Sequence, residues 1–361
     1  MENAAYLALA TNRTLVLPPV FPHHSFKESD EHKLLFPAFP YKTGGVNCAP
    51  YERYHEFIQS IQNDVKKAGD PNVTFPSFMQ LFNFSDIFNK TGLNVIDMAE
   101  FARHSQNTNI TSWCSGLKDG IENKMVPLCD KSEQLNFTDF LHDFQHICGL
   151  DQRVAVIGSA YVMPKPLWTS RGQVAYYFNK LIAPNNNFLS LLNQIYSRIT
   201  EGYAGVAIRF RDDFDIDRCD YPDLKKVYDN VLHDLVKQKF KATTSTNDTR
   251  PAVLIGNGHK AAMKCFRHHA RGMYNPLTVS GIINSDVHLQ YMVDRIESEK
   301  STIYLLLDQI LIGLADKLVL QKVATTADTF HSRIRLWHDR RNMVIEKMHS
   351  APNFQLANVD S

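Results

Sequence analysis

Tyr203-Ala204-Gly205-Val206-Ala207-Ile208-Arg209-Phe210-Arg211-Asp212-Asp213-Phe214 is the stretch on which the fold turns. Gly205 to Phe210 is a short apolar run with no helical spacing, the pattern of a strand buried on both faces. Arg209 and Arg211 fall on one pleat face, and Arg211 stands at the strand's very end. Just upstream, Phe188, Leu191, Leu192, Ile195, Tyr196 and Ile199 recur at helical spacing, which predicts an amphipathic helix from Asn187 to Thr200, ended by Glu201-Gly202. Downstream, helical segments over Leu224–Lys237, Lys260–Arg267 and Gln309–Ala315 alternate with expected strands at Ala252–Ile255 and Tyr304–Leu307. Alternating apolar strands and helices predict a parallel, doubly wound α/β sheet.

The first half carries the same grammar, more interrupted. A helical pattern from Ala4 to Ala10 leads into Arg13-Thr14-Leu15-Val16-Leu17-Pro18-Pro19, which reads as a buried strand stopped by prolines. Val95-Ile96-Asp97-Met98-Ala99-Glu100-Phe101 reads as a short strand passing into a helix that starts at Asp97, and Arg153 to Gly158 as a further strand closing the first sheet. Residues 104–140 have few periodic apolar positions and read as a decorated insertion. A boundary near Gly202 divides the chain into a domain at 1–202, a second at 203–349 and a tail at 350–361.

The bulk numbers exclude several classes. A chain of 361 residues, 44% hydrophobic and 21% charged, has ample material for two cores. Thirty-nine basic against thirty-eight acidic residues leave no global field for a nucleic-acid backbone or an anionic membrane, so any anion site is local. The apolar stretch Ile303–Ala315 is broken by Asp308 and too short to span a bilayer.

Six cysteines (Cys48, Cys114, Cys129, Cys148, Cys219, Cys265) are compatible with up to three disulfides, Cys114–Cys129 being the pair expected first because its surroundings lack other staples. Asn-x-Ser/Thr acceptors stand at Asn12, Asn72, Asn83, Asn89, Asn109, Asn136 and Asn247, where composition alone would give about three. A secretory-pathway lumen, endoplasmic reticulum or Golgi, is therefore expected, although no targeting signal opens the sequence.

In a doubly wound fold ligands sit outside the carboxyl ends of strands, where charged side chains count most. Guanidinium forks bind phosphate bidentately and keep their charge, which suits a departing nucleoside diphosphate. The competing reading of the two arginines is an edge strand with salt bridges.

The Ile-x-x-Arg-x-Asp-Phe neighbourhood, preceded by Tyr203-Ala204-Gly205-Val206, resembles the His-x-Arg signature strand of the protein O-fucosyltransferase and α1,6-fucosyltransferase superfamily. Three more stretches agree in order. Asn12 to Pro19 is similar to that family's first strand and Phe84-Ser85-Asp86-Ile87-Phe88 to its following segment. Asp308 through Asp316, with Asp328-Thr329-Phe330, is similar to its Asp-x7-Asp and Ser-Ser-Phe elements. The resemblance implies two Rossmann-like domains facing a cleft, the GT-B glycosyltransferase arrangement. It implies metal-free transfer of fucose from GDP-fucose to a protein or glycan hydroxyl, with no cofactor beyond that donor. Arg211 would clamp the diphosphate and stabilise the leaving group, Asp308 would accept from the guanine edge, and Thr329 and Phe330 would touch the phosphates at a helix start.

Two site positions depart from the family: Arg209 stands where it has histidine, and Asp328 where it has the first serine of the phosphate loop. Thr325 and Thr326 are candidates to substitute for that serine. The family's glycine-rich Asn-Gln loop would precede the first helix, inside which this sequence begins, so half of the cradle is expected to be missing from it, as is any membrane anchor. An inactive binding module that keeps the fold is therefore the alternative from another class. A second alternative is a metal-dependent glycosyltransferase using Asp213 and Asp215, whose Asp-x-Asp spacing is also common in turns. Arg218 at the obligatory glycine position excludes an EF-hand.

Glu100, Asp86 and Asp212 are candidates for a general base by charge alone. His142, His146 and Cys148 share metal-ligand spacing but fit an ordinary helix with a disulfide-bonded cysteine better. His268 and His269 point to different helix faces. Gly256-Asn257-Gly258 reads as a strand-to-helix turn, since a third glycine is lacking. Arg333, Arg335, Arg340 and Arg341 read as a solvated helix face near Thr329.

Overall fold

The computed structural model describes residues 5, 8–17, 62–73, 77–105, 113–114, 116–118, 125–127, 154–155, 182–199, 202–209, 219–220, 222–238, 240, 250–256, 260–296, 300–322 and 329–352. At 105, 113–114, 116–118, 125–127, 154–155, 209, 260–261, 300–302, 322 and 329–330 only the backbone is described. The chain divides into two compact units, Met1–Pro184 and Asn185–Ser361.

In the first unit the helical turn at 8–10 breaks at Asn12, whose φ of 50° is a left-handed turn that asparagine tolerates well. Arg13 N–H then returns to Ala8 O at 2.7 Å, and the chain enters β1 (Leu15–Leu17). A short β2 (Phe82–Asn83) precedes α1 (Ser85–Thr91), which stops at Gly92 with φ 74°. Next come β3 (Val95–Asp97) and α2 (Met98–Ser105). β1 and β3 pair in parallel, Leu15 opposite Val95. The expected change from strand to helix at Asp97 is present: Asp97 Oδ1 accepts from Glu100 N–H at 2.8 Å, an N-terminal cap.

Inside the expected insertion lie β4 (Trp113–Cys114), β5 (Gly116–Lys118) and β6 (Met125–Pro127). β5 and β6 form an antiparallel ladder, and β4 pairs in parallel with β7 (Val154–Ala155), within the strand expected at Arg153–Gly158. β8 (Ala183–Pro184) runs antiparallel to β2.

The second unit opens with α3 (Asn186–Tyr196), capped by Asn185 Oδ1 accepting from Phe188 N–H at 2.9 Å. Its apolar face, Phe188, Leu191, Leu192 and Ile195, is fully buried as the spacing predicts. Gly202, at φ 79°, turns the chain into β9 (Ala204–Arg209). Then follow α4 (Pro222–Lys237), β10 (Ala252–Gly256), α5 (Lys260–Ala270) and β11 (Asn275–Leu277). Helices α6 (Val279–Asn284), α7 (Val287–Arg295) and α8 (Lys300–Gly313) lead to β12 (Lys317–Lys322), and α9 (Thr329–Asp339) and α10 (Arg341–Ser350) close the unit.

These strands form a parallel sheet in the order β11-β10-β9-β12. One face of β9, Ala204, Val206 and Ile208, packs into a core with Leu224, Tyr228, Val231 and Phe266 from α4 and α5. A mixed α/β unit with a parallel sheet is thus in place.

One expected element is overturned. Tyr304–Leu307 is not a strand but part of α8, which runs unbroken from Lys300 to Gly313. Ile303, Leu307, Ile310, Leu311 and Leu314 do recur at helical spacing, but Leu305, Leu306 and Ile312 fill the positions between them. A helix that is apolar all round has no polar face to reveal its period. The strand is Lys317–Lys322 instead.

Candidate functional site

The chain lays β10 and then β11 outward from one edge of β9, and returns through α8 to place β12 against the other edge. Strand order therefore reverses between β9 and β12, and the crevice of a doubly wound sheet opens at the carboxyl ends of those two strands. Arg209 is the last residue of β9 and Lys322 the last of β12, and they are register partners. Adjacent strands lie about 4.8 Å apart, so two cationic residues share one spot of the sheet edge. Lys322 was not among the expected site residues because its strand had been misplaced; the β-rich run Leu318-Val319-Leu320 was the signal available.

Helix directions follow from close approaches. A methyl placed on Gly205 would lie 2.5 Å from Ile312 O, whereas one on Gly256 would strike Ile312 Cδ1. Carbonyls point to a helix's C-terminus and side chains lean toward its N-terminus, so α8 runs antiparallel to the strands. Its C-terminus meets the amino edge of the sheet, where Asp316 N–H donates to Tyr203 O at 3.1 Å. Asp308 lies one turn before Ile312 on the same helix face, so it stands about 6 Å further toward the carboxyl edge. It is 5% exposed and engaged within the protein.

α9 runs the same way. Gly313 is so close to it that a methyl there would lie 2.5 Å from Trp337 Cβ, and His338 Nδ1 bonds Gly313 O at 3.0 Å. Trp337 is thus at the amino edge, and Thr329, eight residues earlier, is about 12 Å back toward the carboxyl edge. The backbones of Thr329 and Phe330 form the first turn of α9, where free N–H groups and the helix dipole favour an anion. The backbones of Arg209, Lys322 and Thr329-Phe330 therefore lie toward the carboxyl edge of one sheet, while Asp308 on α8 stands further back, about level with the middle of β9. Arg211, Asp212, Asp213, Asp215, Thr325, Thr326 and Asp328 lie outside the described residues, as do His142, His146 and Cys148.

The four arginines of α9 and α10 separate. Arg333 and Arg335 are exposed, as expected for a solvated face. Arg340 is buried, its guanidinium 5.2 Å from the Trp337 ring, and burial lowers its pKa. Arg341 donates to Leu314 O at 2.7 Å and pairs with Asp316. Arg340 and Arg341 thus act at the amino edge, away from Thr329, and the second aspartate of the Asp-x7-Asp element has a structural task there. Tyr203 is fully buried beside it and donates to Leu311 O, and burial raises its pKa well above the ordinary value.

The turn that re-enters the described chain after Arg209 is pinned from several sides. Cys219 is disulfide-bonded to Cys265 on α5. His269 Nε2 lies 3.0 Å from Cys219 O, and since a carbonyl only accepts, that nitrogen carries the proton. His268 Nε2 lies 3.1 Å from Asp220 Oδ1, and the His269 ring stacks on Tyr228 at 5.2 Å. The two histidines, expected to diverge, converge on one turn because Cys219 and Asp220 themselves offer two adjacent acceptors.

In the first unit, the candidate bases Asp86 and Glu100 occupy the first turns of α1 and α2; Asp86 is exposed, and Glu100 lies 3.8 Å from His104.

No family model and no curated protein matches the chain. Among solved structures it is similar to POFUT1 in complex with GDP-fucose, at 12% identity and a TM-score of 0.51 over 94% of this chain and 89% of that one. Two POFUT1 complexes with GDP align at 13% identity, with TM-scores of 0.48 over 95% and 91% of the two chains and 0.49 over 94% and 90%. At this identity the likeness is one of fold.

Proposed function

We propose that this chain is a glycosyltransferase of the fucosyltransferase kind, transferring fucose from GDP-fucose to a protein or glycan hydroxyl without a metal. One observation supports the reading: Arg209 and Lys322 end paired strands at the β9/β12 reversal and α9 begins toward that same edge, with the buried Asp308 further back on α8. Cationic groups and helix N–H groups suit a diphosphate, and a carboxylate suits the N–H donors on the edge of guanine. The fold neighbour's crystals hold GDP-fucose.

In this reading Arg211, two residues beyond Arg209, clamps the diphosphate. Leaving-group stabilisation and orientation then drive the reaction. The GT-B arrangement implied by the resemblance would place the donor on the second unit and the acceptor on the first. Residence in the endoplasmic reticulum or Golgi belongs to the same proposal.

Base selectivity tests it. Asp308→Asn should erode the preference for GDP over UDP while leaving diphosphate affinity less affected. Equal selectivity in wild type and Asp308→Asn would remove Asp308 from the base site. The inactive-module alternative draws on Asp328, whose charge opposes phosphate. Asp328→Ser should tighten GDP binding, and a chain that binds no GDP with either residue keeps only the fold.

A further inference from the structure

Four asparagines of Asn-x-Ser/Thr acceptors, Asn12, Asn72, Asn83 and Asn89, fall among the described residues, and all four are exposed. Exposure does not separate them, but local hydrogen bonding does. At Asn83-Phe84-Ser85 the Asn83 Oδ1 accepts from the Ser85 backbone N–H at 2.9 Å, a closed Asx turn. That bond draws density from the carboxamide and acidifies Nδ2–H, which makes no hydrogen bond among the described residues. The Ser85 side chain is exposed too, while Phe82 and Phe84 on either side of Asn83 are buried at 6% and 4% and fix which way the turn faces.

Asn12 and Asn89 lack this arrangement among the described residues, and Asn72 differs in its amide nitrogen. Asn72 spends its Nδ2 on Asp70 Oδ1 at 3.0 Å. Asn89-Lys90-Thr91 lies inside α1, where the Thr91 hydroxyl donates to Ile87 O at 2.6 Å and accepts from Leu93 N–H at 3.2 Å. Asn12 sits at φ 50° and its Oδ1 closes no turn on Thr14 among the described residues, while Asn94 Nδ2 lies 3.4 Å from the Thr14 hydroxyl.

We infer that Asn83 is an N-glycosylation site of this chain, preferred over Asn89 only six residues away. The donor is a polyprenyl-diphosphate oligosaccharide supplied by the host's own transferase. Asn83 Nδ2 attacks the anomeric carbon, a C–N bond forms, and the C–O bond to phosphate breaks. The diphosphate leaves with the electron pair, and the Nδ2 proton passes to a base of that transferase. An Asx turn spans three residues and needs no distant partner, so it is open to the chain before folding as well as after. The exposed position then tolerates the glycan in the folded state. The inference is independent of any nucleotide at the β9/β12 edge.

The test is secretion of the full chain from a eukaryotic host behind a cleavable signal peptide, followed by enzymatic deglycosylation in heavy-oxygen water and peptide mass spectrometry. The expected result is label at Asn83 in most molecules and at Asn89 in a minority. Ser85→Thr, which keeps the turn and the hydroxyl, should preserve the label at Asn83, and Ser85→Ala should abolish it. An unlabelled Asn83 in secreted protein, or occupancy at Asn89 equal to that at Asn83, overturns the inference.

Discussion

Gly205 and Gly256 face the same isoleucine and differ in what they would hit. A methyl at Gly205 meets the Ile312 carbonyl, which belongs to helix backbone and cannot move alone, whereas a methyl at Gly256 meets the end of a flexible side chain. Gly205→Ala should therefore cost about 1–3 kcal/mol, with Gly256→Ala costing distinctly less as Ile312 changes rotamer. Urea unfolding of both variants checks this, and equal losses would mean that α8 is not held as closely as described. His269 offers a second contrast. Glutamine can reproduce an Nε2–H donor and leucine cannot, so His269→Leu should lower stability by about 1–2 kcal/mol and His269→Gln by less. At this scale the sequence was informative in unequal measure. Asp97 was legible as a helix start because a cap is local chemistry, while Arg341's bond to Asp316 was hidden because its partner lies 25 residues away.

Elements with a wet face were readable and those without one were not. α3 and α4 showed their period because polar residues interrupt the apolar ones, but α8, apolar nearly all round, read partly as a strand. That single error displaced β12 and with it Lys322, so half of the strand pair that makes the crevice was missed. Helix α7 shows how an element end depends on pH. Asp286 caps it through His288 and Leu289 N–H, and the Arg198 guanidinium at 2.9 Å, the largest cause, holds its carboxyl below the ordinary value. A depressed folded-state pKa stabilises above the unfolded value and is lost as pH falls through the folded one. Wild type should thus lose melting temperature on acidification below about pH 4 more steeply than Asp286→Asn, which keeps a cap without the charge. Parallel melting curves would remove Asp286 from the acid response.

For the whole molecule, a parallel sheet was foreseeable from alternating apolar strands and helices; the chain divides into two compact units, and its likeness to a solved structure is one of fold. What the site holds is a matter of charge at one sheet edge, and that is measurable directly. Calorimetric titration of GDP into wild type and Arg211→Ala, both in excess EDTA, decides it. Binding should persist without divalent metal, weaken by about 2 kcal/mol or more in Arg211→Ala, and recover little in Arg211→Lys, since a forked guanidinium contact is lost. Loss of wild-type binding in EDTA with rescue by manganese, or undiminished binding by Arg211→Ala, would contradict the account.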